Sequence, residues 1–290
     1  MPGRFFCVEW ARYIGLNHFR FGHLQTKVKE DSVLHGLGNT RSRLRADHLL
    51  QTPDTFIRTP LPGANGVEFV VHIGTRIGAA FTQMTAEFAR NGTLAPAGLG
   101  VQRFVYVLEG LVDLEVLGGR TSGALAPGGF AYIPADMAHQ FRARESARAV
   151  VIEKHYTRLA ENIFGTGTHA NRPEVVIGDE AQVASEALGG DEGLRVRRLM
   201  PDGPGWDFAV NTMTYDPGAA LSMVEVHVME HGLLMLEGGG IYRLGDSWYP
   251  VTAGDFIWMA PYCPQWFGAL GKTPAKYLIY KDWYRHPLSA

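Results

Sequence analysis

The chain has few cysteines, little net charge and no long apolar run, and each of these absences excludes a class of protein. Its 290 residues include two cysteines, Cys7 and Cys263, and neither has a partner at the spacing of a zinc ribbon, a redox pair or a disulfide scaffold. The formal charge of −2 implies no general attraction to nucleic acid or to an anionic membrane. The apolar runs are too short to span a bilayer. We therefore expect a globular protein in a reducing, cytoplasmic setting, without nucleic-acid or membrane partners.

The first 36 residues differ in pattern from the rest of the chain. Aromatic residues, arginines and histidines are mixed there, and Glu9, Arg12 and Asn17 interrupt any apolar core of the kind that a signal peptide needs. We interpret this segment as a loosely attached arm of unknown role. A transit peptide and residues upstream of the natural start are the alternatives.

Short apolar runs separated by glycine and proline begin at about Val67. Their lengths and turn signals predict antiparallel all-β structure of sandwich or barrel type. Residues 157–205 are richer in polar and charged residues, glycine and proline, which predicts a connector along the surface. The rhythm of strands and turns resumes after Trp206.

Two halves of the chain resemble each other. Residues 103–110 align with 231–238, and residues 128–134 align with 254–260. His139 lies as far after the start of residues 128–134 as Gln265 lies after the start of residues 254–260. A duplication of this length predicts two copies of one β-barrel, over residues 37–156 and 206–286.

Chelating side chains are concentrated at the start of the second copy. Glu225, His227 and His231 share parity, so in an extended strand they converge on one face, while valines fill the opposite face. A helix would also place His227 and His231 on one side, but it would point Glu225 and His227 apart, and the glycines that follow disfavour it. Two imidazoles and a carboxylate, with the distant amide of Gln265, predict a divalent-metal site. Packing alone is the alternative.

These motifs resemble those of the bicupins, which carry two cupin barrels in one chain. The cupin motif has a glycine, His-x-His, a glutamate and a final glycine. Here Glu225 takes the first histidine position, His231 takes the glutamate position, and Gln265 replaces the histidine of the second motif. This exchanged set is similar to that of the (S)-ureidoglycine aminohydrolases, enzymes of allantoin breakdown in purine catabolism. Further matches lie at 239–244 and 277–282, and the likeness extends from about Leu37 to His286.

The resemblance implies an all-β bicupin fold and a hydrolase that releases ammonia from (S)-ureidoglycine, giving (S)-ureidoglycolate. It also implies a homo-oligomer. The implied metal ligands are Glu225, His227, His231 and Gln265, a mixed oxygen and imidazole set that suits Mn²⁺ and admits other first-row divalent metals.

Roles for other residues also follow from the resemblance. Glu225 would accept a proton as well as bind the metal. Lys281 would hold the substrate carboxylate, and Tyr242 and Tyr277 would direct hydroxyl groups toward its ureido or amine end. A solvated strand end is the alternative for the lysine, and barrel packing is the alternative for the tyrosines.

The first copy lacks the metal set. Ala97, Leu99 and Arg103 stand at the positions of Glu225, His227 and His231, and only His139 is a ligand type. Because one imidazole cannot hold a metal tightly, we expect this copy to be structural.

Two other functions remain open at this level. A metal-dependent oxygenase usually relies on more imidazoles than the two present here. A non-enzymatic cupin that binds a small ligand would need neither Lys281 nor a proton-accepting Glu225. Because one barrel hosts many chemistries, the fold alone does not separate these functions.

Overall fold

The computed structural model describes residues 39–117, 122–157, 173–203 and 205–282. The arm predicted over residues 1–36 lies outside these ranges. The described residues form β-strands and three 3₁₀ turns, at Pro53–Thr55, Thr75–Ile77 and Glu180–Gln182. Within the same ranges no helix has the length and apolar character of a membrane span. The predicted all-β class is confirmed.

The strands are numbered in chain order. They are β1 (Arg43–Leu44), β2 (His48–Gln51), β3 (Arg58–Thr59), β4 (Ala64–Ile73), β5 (Thr82–Leu94), β6 (Val101–Glu109), β7 (Val112–Val116), β8 (Ser122–Leu125), β9 (Gly129–Ile133), β10 (His139–Ala143), β11 (Ala147–His155), β12 (Val176–Asp179), β13 (Glu186–Leu188), β14 (Asp191–Arg198), β15 (Ala209–Tyr215), β16 (His231–Glu237), β17 (Gly239–Leu244), β18 (Ser247–Thr252), β19 (Phe256–Met259), β20 (Gln265–Ala269) and β21 (Ala275–Lys281).

Two barrels follow from the antiparallel pairing of these strands. The N-terminal barrel has the order β12-β9-β6-β11-β5-β10-β7-β8, with β4 paired to β5 and β3 to β4. The C-terminal barrel combines the sheet β1-β2-β19-β16-β21-β15-β14-β13 with the three-stranded sheet β18-β17-β20. The bicupin fold expected from the repeat is therefore present.

Alternate side chains of the central strands serve two different cores. In β21, Tyr277 and Ile279 point into the C-terminal barrel, whereas Leu278 and Tyr280 belong to a third apolar cluster that contains residues of both barrels. Phe81 stacks on Tyr280 there, with ring centroids 3.9 Å apart. Strand β21, which ends at Lys281, is thus packed on both faces, and this packing restricts its movement.

The two barrels share unusual backbone conformations at matching positions. Asp136 and Tyr262, at matching positions in the loop before β10 and β20, have φ values of 65° and 64° although neither is glycine. Gly110 and Gly238 also match, and an added Cβ would lie 2.4 Å and 2.3 Å from a backbone oxygen in the two copies. These local demands explain why the glycine pattern repeats in the sequence.

Strand pairing also extends beyond the expected domain boundaries. In the segment expected to be a connector, β12 pairs with β9 of the N-terminal barrel, while β14 pairs with β15 of the C-terminal barrel. Conversely, β2 lies within residues 37–156, the range expected for the N-terminal barrel, but pairs with β19 of the C-terminal barrel. Arg41 fixes this early segment with two hydrogen bonds, of 2.7 and 2.9 Å, to the fully buried carboxylate of Asp255.

Gly232 in β16 generates a test of the contact between the barrels. A Cβ added there would lie 2.5 Å from Cζ of Phe81 and 2.6 Å from Oε1 of Gln83, and both of these side chains are fully buried. We predict that Gly232→Ala lowers the free energy of unfolding by about 1–3 kcal/mol, because overpacking forces buried groups to shift. Chemical denaturation measures this effect. Gly98→Ala is the matched control, since its Cβ would approach Val101 Cγ2 no closer than 3.8 Å. Equal losses in both variants would contradict the prediction.

Candidate metal centre

The seven residues singled out from the sequence all line one cavity of about 280 Å³ in the C-terminal barrel. They are Glu225, His227, His231, Tyr242, Gln265, Tyr277 and Lys281. The volume is just below the roughly 300 Å³ at the lower end of pockets for drug-sized ligands. The cavity therefore suits a smaller molecule.

The continuous strand expected up to His231 is wrong. The segment before β16 is a loop with two isolated bridges, Ala220 to Gly268 and Glu225 to Gln265. The two bridged loop residues, Ala220 and Glu225, are five positions apart, but their partners on β20 are only three positions apart. Antiparallel pairing needs equal spacing, so the intervening loop residues bulge outward. Val224, which lies between the bridges and was expected in a packed layer, is accordingly 38% exposed.

The candidate ligands converge even though this segment is not a strand. Glu225 and Gln265 exchange both backbone hydrogen bonds, at 2.8 and 2.9 Å, so they stand directly opposite each other. Nε2 of His227 lies 3.0 Å from Oε2 of Glu225, and the rings of His227 and His231 have centroids 5.1 Å apart. The backbone N–H of Tyr262 donates to the His227 carbonyl at 2.6 Å, which fixes the loop at this point.

The donor set fits a divalent metal ion. His231 is buried, and its Nδ1 has no hydrogen-bond partner among the described residues. Burial, followed by the charges of Lys281 and His227, holds the pKa of His231 well below its usual value. The imidazole is therefore neutral, which is the form that binds metals. Carboxylate and amide oxygens from Glu225 and Gln265 complete a set typical of hard to borderline first-row ions.

The other expected residues bring a cation and two neutral hydroxyl groups to the same cavity. Burial lowers the pKa of Lys281, although Glu225 opposes this shift, and no described residue hydrogen-bonds to its ammonium group. Burial raises the pKa of both Tyr242 and Tyr277, so their hydroxyl groups stay protonated. The Tyr242 hydroxyl donates to Oε1 of Gln265 at 3.4 Å, and that of Tyr277 shares a 2.7 Å hydrogen bond with Tyr215.

Three polar residues on the cavity wall were not found by sequence reasoning. Asn211 lies on β15, and Arg198 at the end of β14 pairs with Glu186 of β13 at 2.6 Å. Two of them fall in the segment expected to be a connector. Asn211 carries no sequence signal, because its apolar equivalent in the N-terminal barrel, Met84, is identified only by the strand pairing.

A second group of ligand types surrounds Cys263, whose thiol and nearby donor atoms of Asp47 and His48 all lie within 4.8 Å of one another. Both nitrogens of His48 are already used, at 2.9 Å from Asp47 and 2.8 Å from the Tyr249 hydroxyl. Burial raises the pKa of Cys263 to about 11, which opposes the thiolate that a metal requires. The group is thus a hydrogen-bonded contact between the segment at β2 and the loop before β20.

In the N-terminal barrel, a positively charged side chain lies at the position that corresponds to the candidate metal site. The guanidinium of buried Arg103 donates to Nε2 of His139 at 2.9 Å, to the carbonyl of Ala95 at 2.6 Å and to Glu153 at 2.8 Å. Nδ1 of His139 is 2.7 Å from the carbonyl of Met137, so both of its nitrogens are used. Leu99, at the position of His227, is 89% exposed.

Known proteins resemble this chain in sequence. The family model described as Cupin domain matches residues 211–280. The chain is 39% identical to the (S)-ureidoglycine aminohydrolase of Arabidopsis thaliana, over 87% of this chain and 80% of that protein. It is 41% identical to a rice (Oryza sativa subsp. japonica) protein named "Probable (S)-ureidoglycine aminohydrolase", over 87% of this chain and 78% of that protein.

A solved structure shares the fold. The crystal structure of protein Ylba from E. coli superposes with a TM-score of 0.73 and 24% identity, over 85% of this chain and 96% of that chain. The identity and coverage of the plant relatives show that the chain belongs to the (S)-ureidoglycine aminohydrolase family.

Proposed function

We propose that this protein is an Mn²⁺-dependent (S)-ureidoglycine aminohydrolase of purine catabolism, which releases ammonia and gives (S)-ureidoglycolate. The observation that carries the proposal is the exchanged Glu225, His227, His231 and Gln265 set beside Lys281 in one small cavity. The names of the plant relatives support the same reaction. A cytosolic location and a homo-oligomeric state are part of the proposal.

Lys281 supports binding of a substrate that carries a carboxylate. Its ammonium lies in the cavity without a hydrogen-bond partner among the described residues, so an anionic ligand would satisfy it. An ion held by Glu225, His227, His231 and Gln265 would polarise the bound substrate atoms and fix which enantiomer is accepted. Together the two contacts orient the carbon that bears the amino and ureido groups.

Glu225 supports the proton transfer that the reaction needs. Replacing the amine by water forms a C–O bond and breaks a C–N bond, and one proton of the water must reach the leaving nitrogen. The Glu225 carboxylate is suited to accept that proton and return it to the amine. Because Tyr242 and Tyr277 stay protonated, their hydroxyl groups are suited to hydrogen-bond the substrate's polar ends.

The first prediction concerns metal content. We expect about one divalent ion per chain, because binding requires the complete donor set of the C-terminal barrel. His227→Ala and His231→Ala should each remove it, and elemental analysis of purified protein measures the loss. His139→Ala is the control, since that imidazole is hydrogen-bonded to Arg103 and Met137. Two ions per chain, or loss of metal in the control, would overturn the assignment.

The second prediction concerns the reaction. With Mn²⁺ present, the protein should release ammonia from (S)-ureidoglycine without consuming oxygen. The substrate loses ammonia unaided, so it should be generated in place from allantoate and the background rate subtracted. Lys281→Ala should lower kcat/KM by about 10- to 100-fold, the value of a lost charge-assisted hydrogen bond, while metal stays bound. Exposed Lys272→Ala is the control and should match the wild type.

Three outcomes separate the candidate functions. Oxygen consumption would favour the oxygenase. Ammonia release equal to the background at full metal occupancy would favour a non-enzymatic cupin. Catalysed release without oxygen uptake fits only the hydrolase among the three.

The third prediction isolates the proton acceptor. Glu225→Gln keeps an oxygen that can bind metal but removes the carboxylate that accepts a proton. We expect partial metal retention and a loss of turnover of at least about 100-fold, the lower end of general acid–base contributions. Metal content and ammonia release are measured on the same sample. A metal-loaded variant with wild-type turnover would assign the proton transfer to another group.

A further inference from the structure

Asn211 is a polar group in the cavity to which the proposed ligand set and reaction give no role. Its side chain is 6% exposed and lines the cavity wall on β15. Among the residues that the structure describes, none hydrogen-bonds to its amide. An amide on a cavity wall that has no protein partner can hydrogen-bond to a ligand that enters the cavity.

The fold itself does not require an amide at this position. In the C-terminal barrel Asn211 pairs with Ile279, two residues before Lys281. In the N-terminal barrel the equivalent pair is Met84 and Val151, two residues before Glu153. Met84 is buried in the apolar core of that barrel. The same strand position is therefore filled by an apolar side chain in one copy and by an amide in the copy that has the cavity.

The donor and acceptor groups of an amide match some groups of the substrate better than others. An amide offers an acceptor oxygen and a donor NH₂ side by side. A carboxylate only accepts hydrogen bonds, and Lys281 on the cavity wall already supplies a cation for it. A ureido group presents a carbonyl and N–H groups together, so it can form two parallel hydrogen bonds with an amide.

We propose that Asn211 recognises the ureido group of the substrate and thereby determines specificity for ureido acids. This inference rests on the proposed function, because it assumes a substrate with that group. It makes Asn211 a binding residue that contacts the part of the ligand away from the reacting carbon–nitrogen bond. A site built to hydrogen-bond a group discriminates strongly against analogues that lack it.

The test compares two ligands that differ by the ureido group. Binding of (S)-ureidoglycolate and of glycolate to the Mn²⁺-loaded full chain is measured by titration calorimetry, for the wild type and for Asn211→Leu. We expect the variant to bind (S)-ureidoglycolate about 10- to 100-fold more weakly, the effect of two lost hydrogen bonds, and to bind glycolate within about twofold of the wild type. The apolar Met84 in the other barrel indicates that this substitution folds, and a thermal melt checks it.

Further variants keep the test decisive. Asn211→Asp has nearly the same size but lacks the donor, so it should also lose selectivity, and it replaces Asn211→Leu if that variant does not fold. Ile279→Val changes the shape of the same wall without changing hydrogen bonds, so it should shift both ligands alike. Equal weakening of both ligands in Asn211→Leu, or no weakening, would refute the role of Asn211. A wild type that binds neither ligand and releases no ammonia would instead refute the proposed function, and this inference with it.

Discussion

The antiparallel bridge between Glu225 and Gln265 is the constraint on which the candidate site depends. Its two backbone hydrogen bonds, 2.8 and 2.9 Å long, join a loop to the first residue of β20. Residues that face each other across such a pair have adjacent side chains, so the carboxylate and the amide enter the cavity together. The surplus loop residues before the bridge bulge outward, and the chain then returns to place His227 3.0 Å from Glu225 and His231 at the start of β16.

The N-terminal barrel, which lacks the ligand set, contacts residues that are next to the candidate site of the C-terminal barrel. The buried carboxylate of Glu230, next to His231, accepts hydrogen bonds from the backbone N–H of Ala80 at 2.8 Å and from Nε1 of Trp258 at 3.0 Å, although burial raises its pKa to about 7. Lys154 of β11 lies 3.4 Å from Asp282, which follows Lys281. Glu230 and Asp282, which are next to His231 and Lys281, are thus anchored at the contact between the barrels. Such buried pairs fix geometry more than they add stability.

Sequence reasoning predicted seven of the cavity residues, and it failed where structure depends on distant pairing. Alternation of side chains identified Glu225 and His231 as neighbours, but the same pattern cannot reveal that the segment before His231 pairs with β20 only at two isolated bridges. The pairing of β2 with β19 joins segments about two hundred positions apart and leaves no local trace. Asn211 carries no motif at all. Its significance emerges only when the two barrels are aligned strand by strand, because Met84 then shows that the position can be apolar.

The two barrels place different charges at equivalent buried positions. The centre of each is a buried place where ligand-type side chains converge, and unpaired polar groups there cost free energy. In the N-terminal barrel, Arg103 fills this place with a permanent cation, and Glu153 is its counter-ion. Their strand-register equivalents in the C-terminal barrel are His231 and Lys281, so both charges are changed. A neutral imidazole leaves the centre open to an exchangeable cation, and a lysine in place of the glutamate gives an anionic ligand a partner. The barrel without a ligand set thus contains its own fixed cation, and Arg103 and the Met137 carbonyl hydrogen-bond both nitrogens of its buried His139.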